Sequence, residues 1–173
     1  PGTVLSDSPV TIDGWSPRNF TGRYKGDMTM RQALAESINT VAVRVAAKAG
    51  YKRVVDTAKR LGLTADLDPN PSIALGTGEV TPLELTAAYA VFANGGRGVW
   101  PYGIEEIQDG DGQVLYRRSG SGPGRVVGKK HIAAMNRMLA GVVDGGTGKA
   151  AALAGRPVAG KTGTSQNYRD AWF

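Results

Sequence analysis

The sequence predicts an α+β domain in which helices flank an antiparallel sheet. Three observations carry that expectation. Helical patterning dominates residues 29–93, short extended runs bracket one further helix beyond residue 98, and strand and helix do not alternate regularly as a parallel sheet would need. The 173 residues suffice for one core. They divide into a mainly helical part, 1–97, and a part holding a hairpin, a helix and a closing strand, 98–173. No repeat with a period of roughly 20–50 residues stands out. A start at Pro1 and a stop within the apolar run "AWF" predict a domain cut from a larger protein at both ends.

Each element has a local reason. Residues 1–25 are rich in Pro, Gly, Ser and Asp and read as loop, with "PVTI" (9–12) as a candidate strand. Thr29 and Gln32 have capping-box spacing, so a short helix is expected from there to about Ser37. Asn39 is the expected N-cap of a second helix ending at Gly50. That helix is apolar almost all round, with Arg44 and Lys48 as its polar stripe, and should be central and buried. A third helix, 51–61, shows Val54, Val55, Ala58 and Leu61 on one face. Thr81, Pro82 and Glu84 open a fourth, with Leu85, Ala88, Tyr89 and Phe92 on one side and Asn94-Gly95-Gly96 as its stop. "YGIEEIQDGDGQVLYRR" reads as two strands around a turn. A helix over 129–143 follows, with Ile132, Met135, Leu139 and Val142 in register as core. "DGGTGKAAALAG" is a small-residue connection; "PVAGKTGT" is a strand candidate, "SQNYRD" a turn and "AWF" the start of another strand.

Composition removes several function classes. With no cysteine there is no thiol nucleophile, disulfide or cysteine metal site, and with His131 as the single histidine there is no multi-histidine metal site. No metal and no cofactor are expected. His131 lies near a helix start and reads as structural or surface. The net charge of +6 comes from basic residues scattered singly and in pairs, without the run a nucleic-acid arm needs, so no nucleic-acid partner is expected. No run of apolar residues reaches the roughly 18 of a membrane span.

Lys161 admits two readings. Gly155 to Thr162 fits G-x-x-x-x-G-K-[ST], a phosphate-cradling loop. That loop needs a strand leading in and a helix starting at the Lys-Thr, where N–H groups converge on the anion. Here the lead-in is "GKAAALAG", Pro157 removes one N–H, and "GTSQNY" is a poor helix start. The strand reading fares better. Lys161, Thr162 and Thr164 put an ammonium and two hydroxyls at a sheet edge, and Gly163 admits a ligand backbone. Such an edge can receive a carboxylate and pair with an extended peptide.

"KTGT" and "SIN" (Ser37-Ile38-Asn39), with the flanking stretches "SPVTIDGWSPRNFTGRYKGDMTMRQALAESINTVAVR", "IALGTGEVTPLELTAAYAVFANGG" and "GKTGTSQNYRDAWF", resemble the transpeptidase domain of class A, bifunctional penicillin-binding proteins. The likeness covers nearly the whole chain. It implies a beta-lactamase/transpeptidase-like fold and a serine D,D-transpeptidase that cross-links peptidoglycan stem peptides by acyl transfer from D-Ala-D-Ala and is a beta-lactam target. It implies catalytic roles for Ser37 as proton relay, Asn39 as an amide for the substrate backbone and Lys161 as positive potential. Thr162, Gly163 and Thr164 would bind the substrate: the two hydroxyls would hold the terminal carboxylate, and the Thr164 N–H would be an oxyanion donor. It also implies a membrane-anchored parent acting in the cell envelope, on the extracytoplasmic (periplasmic) side of the cytoplasmic membrane.

One departure matters. The family's first signature is S-x-x-K, and none of Ser6, Ser8, Ser16, Ser37, Ser72, Ser119, Ser121 or Ser165 has a lysine three positions on. The expectation is that missing segments of the same domain supply the nucleophile, that this chain alone does not turn over, and that loss of those segments bares apolar faces of the central helix. A non-catalytic peptide-binding module with the same cleft is the alternative. Glu36 and Asp170 as an acid/base pair is a weaker reading; Gly76-Thr77-Gly78 resembles the family's turn before a core helix, which shapes backbone and binds no phosphate; and Trp15, Trp100 and Trp172 read as packing anchors, with Trp172 placed to line a cleft.

Overall fold

A computed structural model describes residues 1–120, 122–165 and 169–173. In chain order the elements are β1 (Val4–Asp7), β2 (Gly26–Thr29), α1 (Met30–Ala35), α2 (Asn39–Ala49), α3 (Tyr51–Leu61), α4 (Pro82–Ala93), β3 (Glu106–Gln108), β4 (Val114–Arg117), α5 (Lys129–Asp144), β5 (Gly163–Thr164) and β6 (Ala171–Trp172). Single 3-10 turns lie at Pro71–Leu75 and Lys149–Ala151. The class is α+β. Among the described residues the strands form three separate antiparallel pairs, β1–β2, β3–β4 and β5–β6.

The helix starts follow local chemistry. The Thr29 hydroxyl accepts from Gln32 N while the Gln32 side chain accepts from Thr29 N, closing a capping box on α1. Thr81 and Glu84 do the same for α4, with Pro82 in the first turn. Glu84 also accepts from the Thr64 hydroxyl and N–H, tying α4 to the chain leaving α3. These bonds, the Thr64 hydroxyl foremost, hold its carboxyl down to about 2. The expected hairpin forms as β3–β4, its loop closed by Asp109, whose carboxylate accepts from Asp111 N and Gln113 N.

Several expectations need correction. The strand near the start is Val4–Asp7, not residues 9–12; β1 runs along β2 with Val4 facing Thr29 and Asp7 facing Gly26. Ile12 makes only a two-bond bridge to Trp15 around Asp13 (φ 50°) and Gly14 (φ 79°), a tight turn that leaves no length for a strand. On α4 the buried residues are Ala87, Ala88 and Val91, while Tyr89 is exposed. The inward face is therefore rotated by about one residue from the predicted one, toward the small side chains that let α4 approach its neighbours. On α5, Ile132, Leu139 and Val142 are buried as expected, and Met138 rather than Met135 completes the face. The strand in "PVAGKTGT" is confined to Gly163–Thr164, so Lys161 and Thr162 precede it. Of the predicted turn at 165–170, residues 166–168 lie outside the described residues.

The core that positions the site joins both parts of the chain. Met28, Ala33, Ile38 and Val41 are buried together, with Leu5 and Val45 packed on them. α5 lies against α1 and α4, and Asn136 Nδ2 donates to Phe92 O at 3.1 Å. On α2, Val41 and Val43 are buried. The large exposed apolar side chains lie elsewhere, many of them on the hairpin and its approach (Trp100, Tyr102, Ile104, Leu115), so the expected bared face of the central helix is not seen among the described residues. Trp100 and Trp172 are likewise more exposed than packing anchors would be; both belong to surface segments.

Candidate active site

The corner between α1 and α2 is built by the way α1 ends. Ser37 N donates to Leu34 O and Ile38 N to Ala33 O, with Glu36 as the C-cap. This is a Schellman motif, and Ser37 stands at its left-handed position with φ 57°. Glycine is usual there; a side chain at that position costs about 1–2 kcal/mol. The accompanying apolar contact is present, since Ile38 and Ala33 share one buried cluster. The strain projects the Ser37 hydroxyl from an interhelical corner whose backbone is held on both sides.

Lys161 reaches that hydroxyl from the other end of the chain. Its Nζ donates to Ser37 Oγ at 2.8 Å across 124 residues, and also to Thr162 O at 2.8 Å. Burial removes water from the ammonium and pushes its pKa below the ordinary lysine value. Among the described residues no acid pairs with it. A half-desolvated ammonium without a counter-ion attracts an anion and releases its proton more readily than a surface lysine. Thr162 is half-buried, its hydroxyl 2.6 Å from that of Thr147. Gly163 and Thr164 are exposed on β5 and face Trp172 and Ala171 of β6. Beyond them Ser165 Oγ donates to the Asp170 carboxylate at 2.9 Å.

The structure thus brings Ser37 together with Lys161, and Thr162, Gly163 and Thr164 follow Lys161 along one edge. Asn39 is two residues from Ser37 but is not the N-cap. Ile38 takes that position without a side-chain cap, because the left-handed turn at Ser37 starts the helix one residue early. Asn39 Nδ2 instead donates to Arg18 O at 2.8 Å, leaving its other N–H and its carbonyl free for other partners. Glu36 and Asp170 do not form an acid/base pair: Glu36 is bridged to Lys25, and Asp170 is taken by Ser165. Lys161 is followed by β5, not by a helix N-terminus, which removes the phosphate-loop reading.

Two features escaped sequence reasoning. The first is a buried carboxylate. Asp7, 1% exposed, accepts from Asn19 Nδ2 at 2.7 Å, from the Thr40 hydroxyl at 2.6 Å and from Lys25 N at 2.8 Å. Burial opposes its charge, but the bonds from Thr40, Asn19 and Lys25 outweigh it and hold the carboxyl below its ordinary range. Thr40 is the second residue of α2, so this network moors the start of that helix to β1. The second is Thr147; its signal was the glycine-rich run around it, which marks close backbone approach.

Solved structures that share this architecture include penicillin-binding proteins. Penicillin-binding protein 1A from Haemophilus influenzae superposes with a TM-score of 0.88 at 28% identity, over 99% of this chain and 32% of that one. The Mycobacterium tuberculosis PonA1 protein in complex with penicillin V superposes with a TM-score of 0.80 at 29% identity, over 95% of this chain and 47% of that one. Residues 1–171 match the family described as the penicillin binding protein transpeptidase domain, and the chain belongs to that family. Its relatives include penicillin-binding protein 1A of Aquifex aeolicus, 44% identical over 95% of this chain, and that of Rickettsia prowazekii, 35% identical over 100%. The chain spans 22% and 26% of those two relatives.

Proposed function

We propose that this chain forms part of a serine-type D,D-transpeptidase that cross-links peptidoglycan stem peptides by acyl transfer from D-Ala-D-Ala. The observation that carries the reading is the 2.8 Å contact between Lys161 Nζ and Ser37 Oγ. It joins a hydroxyl on an interhelical corner to an ammonium beside a short strand, as a proton relay requires. Residues 1–97 supply the corner and residues 98–173 the edge.

The chemistry needs an activated nucleophile, a donor to the leaving amine, an oxyanion hole and a carboxylate clamp. In this reading a serine from an S-x-x-K segment outside the 173 residues attacks the penultimate carbonyl. The lysine of that segment takes the serine's proton. Ser37 Oγ passes its own proton to the departing D-Ala amine and is reprotonated from Lys161. The acyl group stays on the serine until the amine of a second stem peptide displaces it. Asn39 offers its second amide N–H and its side-chain carbonyl to the substrate backbone. Lys161 and the hydroxyls of Thr162 and Thr164 receive the terminal carboxylate. Thr164 N–H supports the oxyanion, a contact whose loss typically costs about 2.7–4 kcal/mol of barrier. Among the described residues β5 has one strand neighbour, which leaves an edge for an extended peptide. Beta-lactams would occupy the same edge through their carboxylate. The full protein would be anchored to the cytoplasmic membrane with this domain on its outer side; among the described residues no helix is long and apolar enough to cross a membrane.

Labelled penicillin tests this. A protein carrying this chain together with its S-x-x-K segment should become acylated with one label per molecule, and the 173-residue chain should not. No acylation of the longer protein would overturn the reading. Stoichiometric labelling of the short chain would place the nucleophile within it.

A further inference from the structure

Thr147 touches both halves of the site. It lies in the loop that leaves α5, where Gly145 caps the helix and Gly146 and Gly148 donate back to Val142 O. Its backbone N–H donates to Ala35 O at 3.0 Å. Ala35 is the last residue of α1, so the bond satisfies a carbonyl that the helix end leaves open, two residues before Ser37. The approach is very close: a Cβ on Gly146 would stand 2.1 Å from Ala35 O and 2.9 Å from Val142 Cα. Only glycine lets the loop lie flat against α1. The Thr147 side chain reaches the opposite way, with Oγ1 2.6 Å from Thr162 Oγ1. Thr162 adjoins Lys161, whose ammonium holds the Thr162 carbonyl. The lysine segment is fixed to α5 as well, through Gly160 N and Leu139 O.

A hydroxyl can donate one proton and accept at two lone pairs. If Thr162 spends its proton on Thr147, it has none for a carboxylate. If Thr147 donates instead, the Thr162 proton is free and the oxygen is fixed in place. We infer that Thr147 is a positioning residue: it donates to Thr162 Oγ1, aims the Thr162 proton at the carboxylate of the incoming peptide or beta-lactam, and keeps the edge at a set distance from the Ser37 corner. This rests on the proposed function, because the carboxylate is that of its substrate.

The test uses the full-length protein and a labelled penicillin, with the binding constant of the encounter complex and the acylation rate constant measured separately. Thr147→Val keeps the shape and removes the hydroxyl. It should weaken encounter binding about ten-fold and change the acylation rate constant less than about three-fold, since a lost contact to a group distant from the reacting carbonyl is lost from ground and transition states alike. Thr147→Ser should restore binding to within about two-fold of the wild type. Thr162→Val and the double variant complete a cycle: if Thr147 acts through Thr162, the double variant binds no worse than Thr162→Val alone. Thr147→Ala replaces the valine in the cycle if the valine variant melts well below the wild type. Wild-type binding by the hydroxyl-less variants, a serine variant as weak as valine, or additive losses in the double variant would each overturn the inference. Lys161→Met is the control. If the wild type is never acylated, the proposed function fails; if it is acylated and only the Lys161 variant is impaired, the role of Thr147 fails alone.

Discussion

Replacing Lys161 by methionine is expected to slow acylation of the full-length protein by a labelled penicillin about 1,000-fold or more, on the scale of losing a positioned proton-transfer group or a key electrostatic contact. Methionine matches the length of the lysine stem, so the variant should fold. It should even gain stability. Burial lowers the Lys161 pKa, so at neutral pH the folded state holds a proton it binds less tightly than the unfolded chain does. Between the lowered value and the ordinary 10.5 the unfolded chain binds more protons, and stability rises with pH across that window. The methionine variant should lose this alkaline rise in a denaturation series. Acylation by the wild type should in turn fall as pH climbs through the same window, because the charge that attracts the carboxylate is lost. A Lys161→Met protein that acylates at the wild-type rate would dismiss the lysine from the site.

Asp7→Ala is expected to destabilise the protein by about 1–3 kcal/mol, the range for leaving buried neutral donors without their acceptor. The carboxylate serves three donors, from Asn19, Thr40 and Lys25 N, and an alanine leaves the buried Thr40 hydroxyl without this acceptor while Asn19 Nδ2 keeps only Arg23 O. Asp7→Asn should recover only part of the loss, since its amide presents donors where donors already point. The acid response follows from the lowered pKa. The contribution of Asp7 is complete above the ordinary 3.8 and disappears as pH falls through the lower folded value. The alanine variant should lack that acid limb. Chemical denaturation of both proteins between neutral and acid pH measures each effect, and equal midpoints would sink the claim. Because Thr40 adjoins the Ser37–Asn39 turn, acylation should fall with stability in this variant, unlike Lys161→Met.

The helices were legible because their signals are local. Thr29 with Gln32, Thr81 with Glu84, and Gly50 and Asn94-Gly95-Gly96 as stops each act within one turn of the chain. The hairpin was legible for the same reason, through Asp109. β1 was not: Val4–Asp7 owes its extension to a partner strand some twenty residues away, and its four residues carry no clear alternation. Of the site, the pairing of Ser37 with Lys161 could be expected only through the family resemblance that "SIN" and "KTGT" with their flanks carry. The left-handed backbone of Ser37, the mooring of Thr40 by Asp7 and the double contact of Thr147 are tertiary facts. No spacing rule connects position 7 to position 40, or 35 to 147 to 162, because each link is made only after helices and loops have packed.

The left-handed serine has an evolutionary corollary. Glycine at position 37 would relax the backbone and end α1 more comfortably, so any selection for heat tolerance that ignored chemistry would drift toward it. Under the proposed function the hydroxyl answers a demand that folding does not impose. A laboratory lineage evolved for robustness without antibiotic or cell-wall selection should therefore shed Ser37 early, losing the proposed relay while easing the corner between α1 and α2.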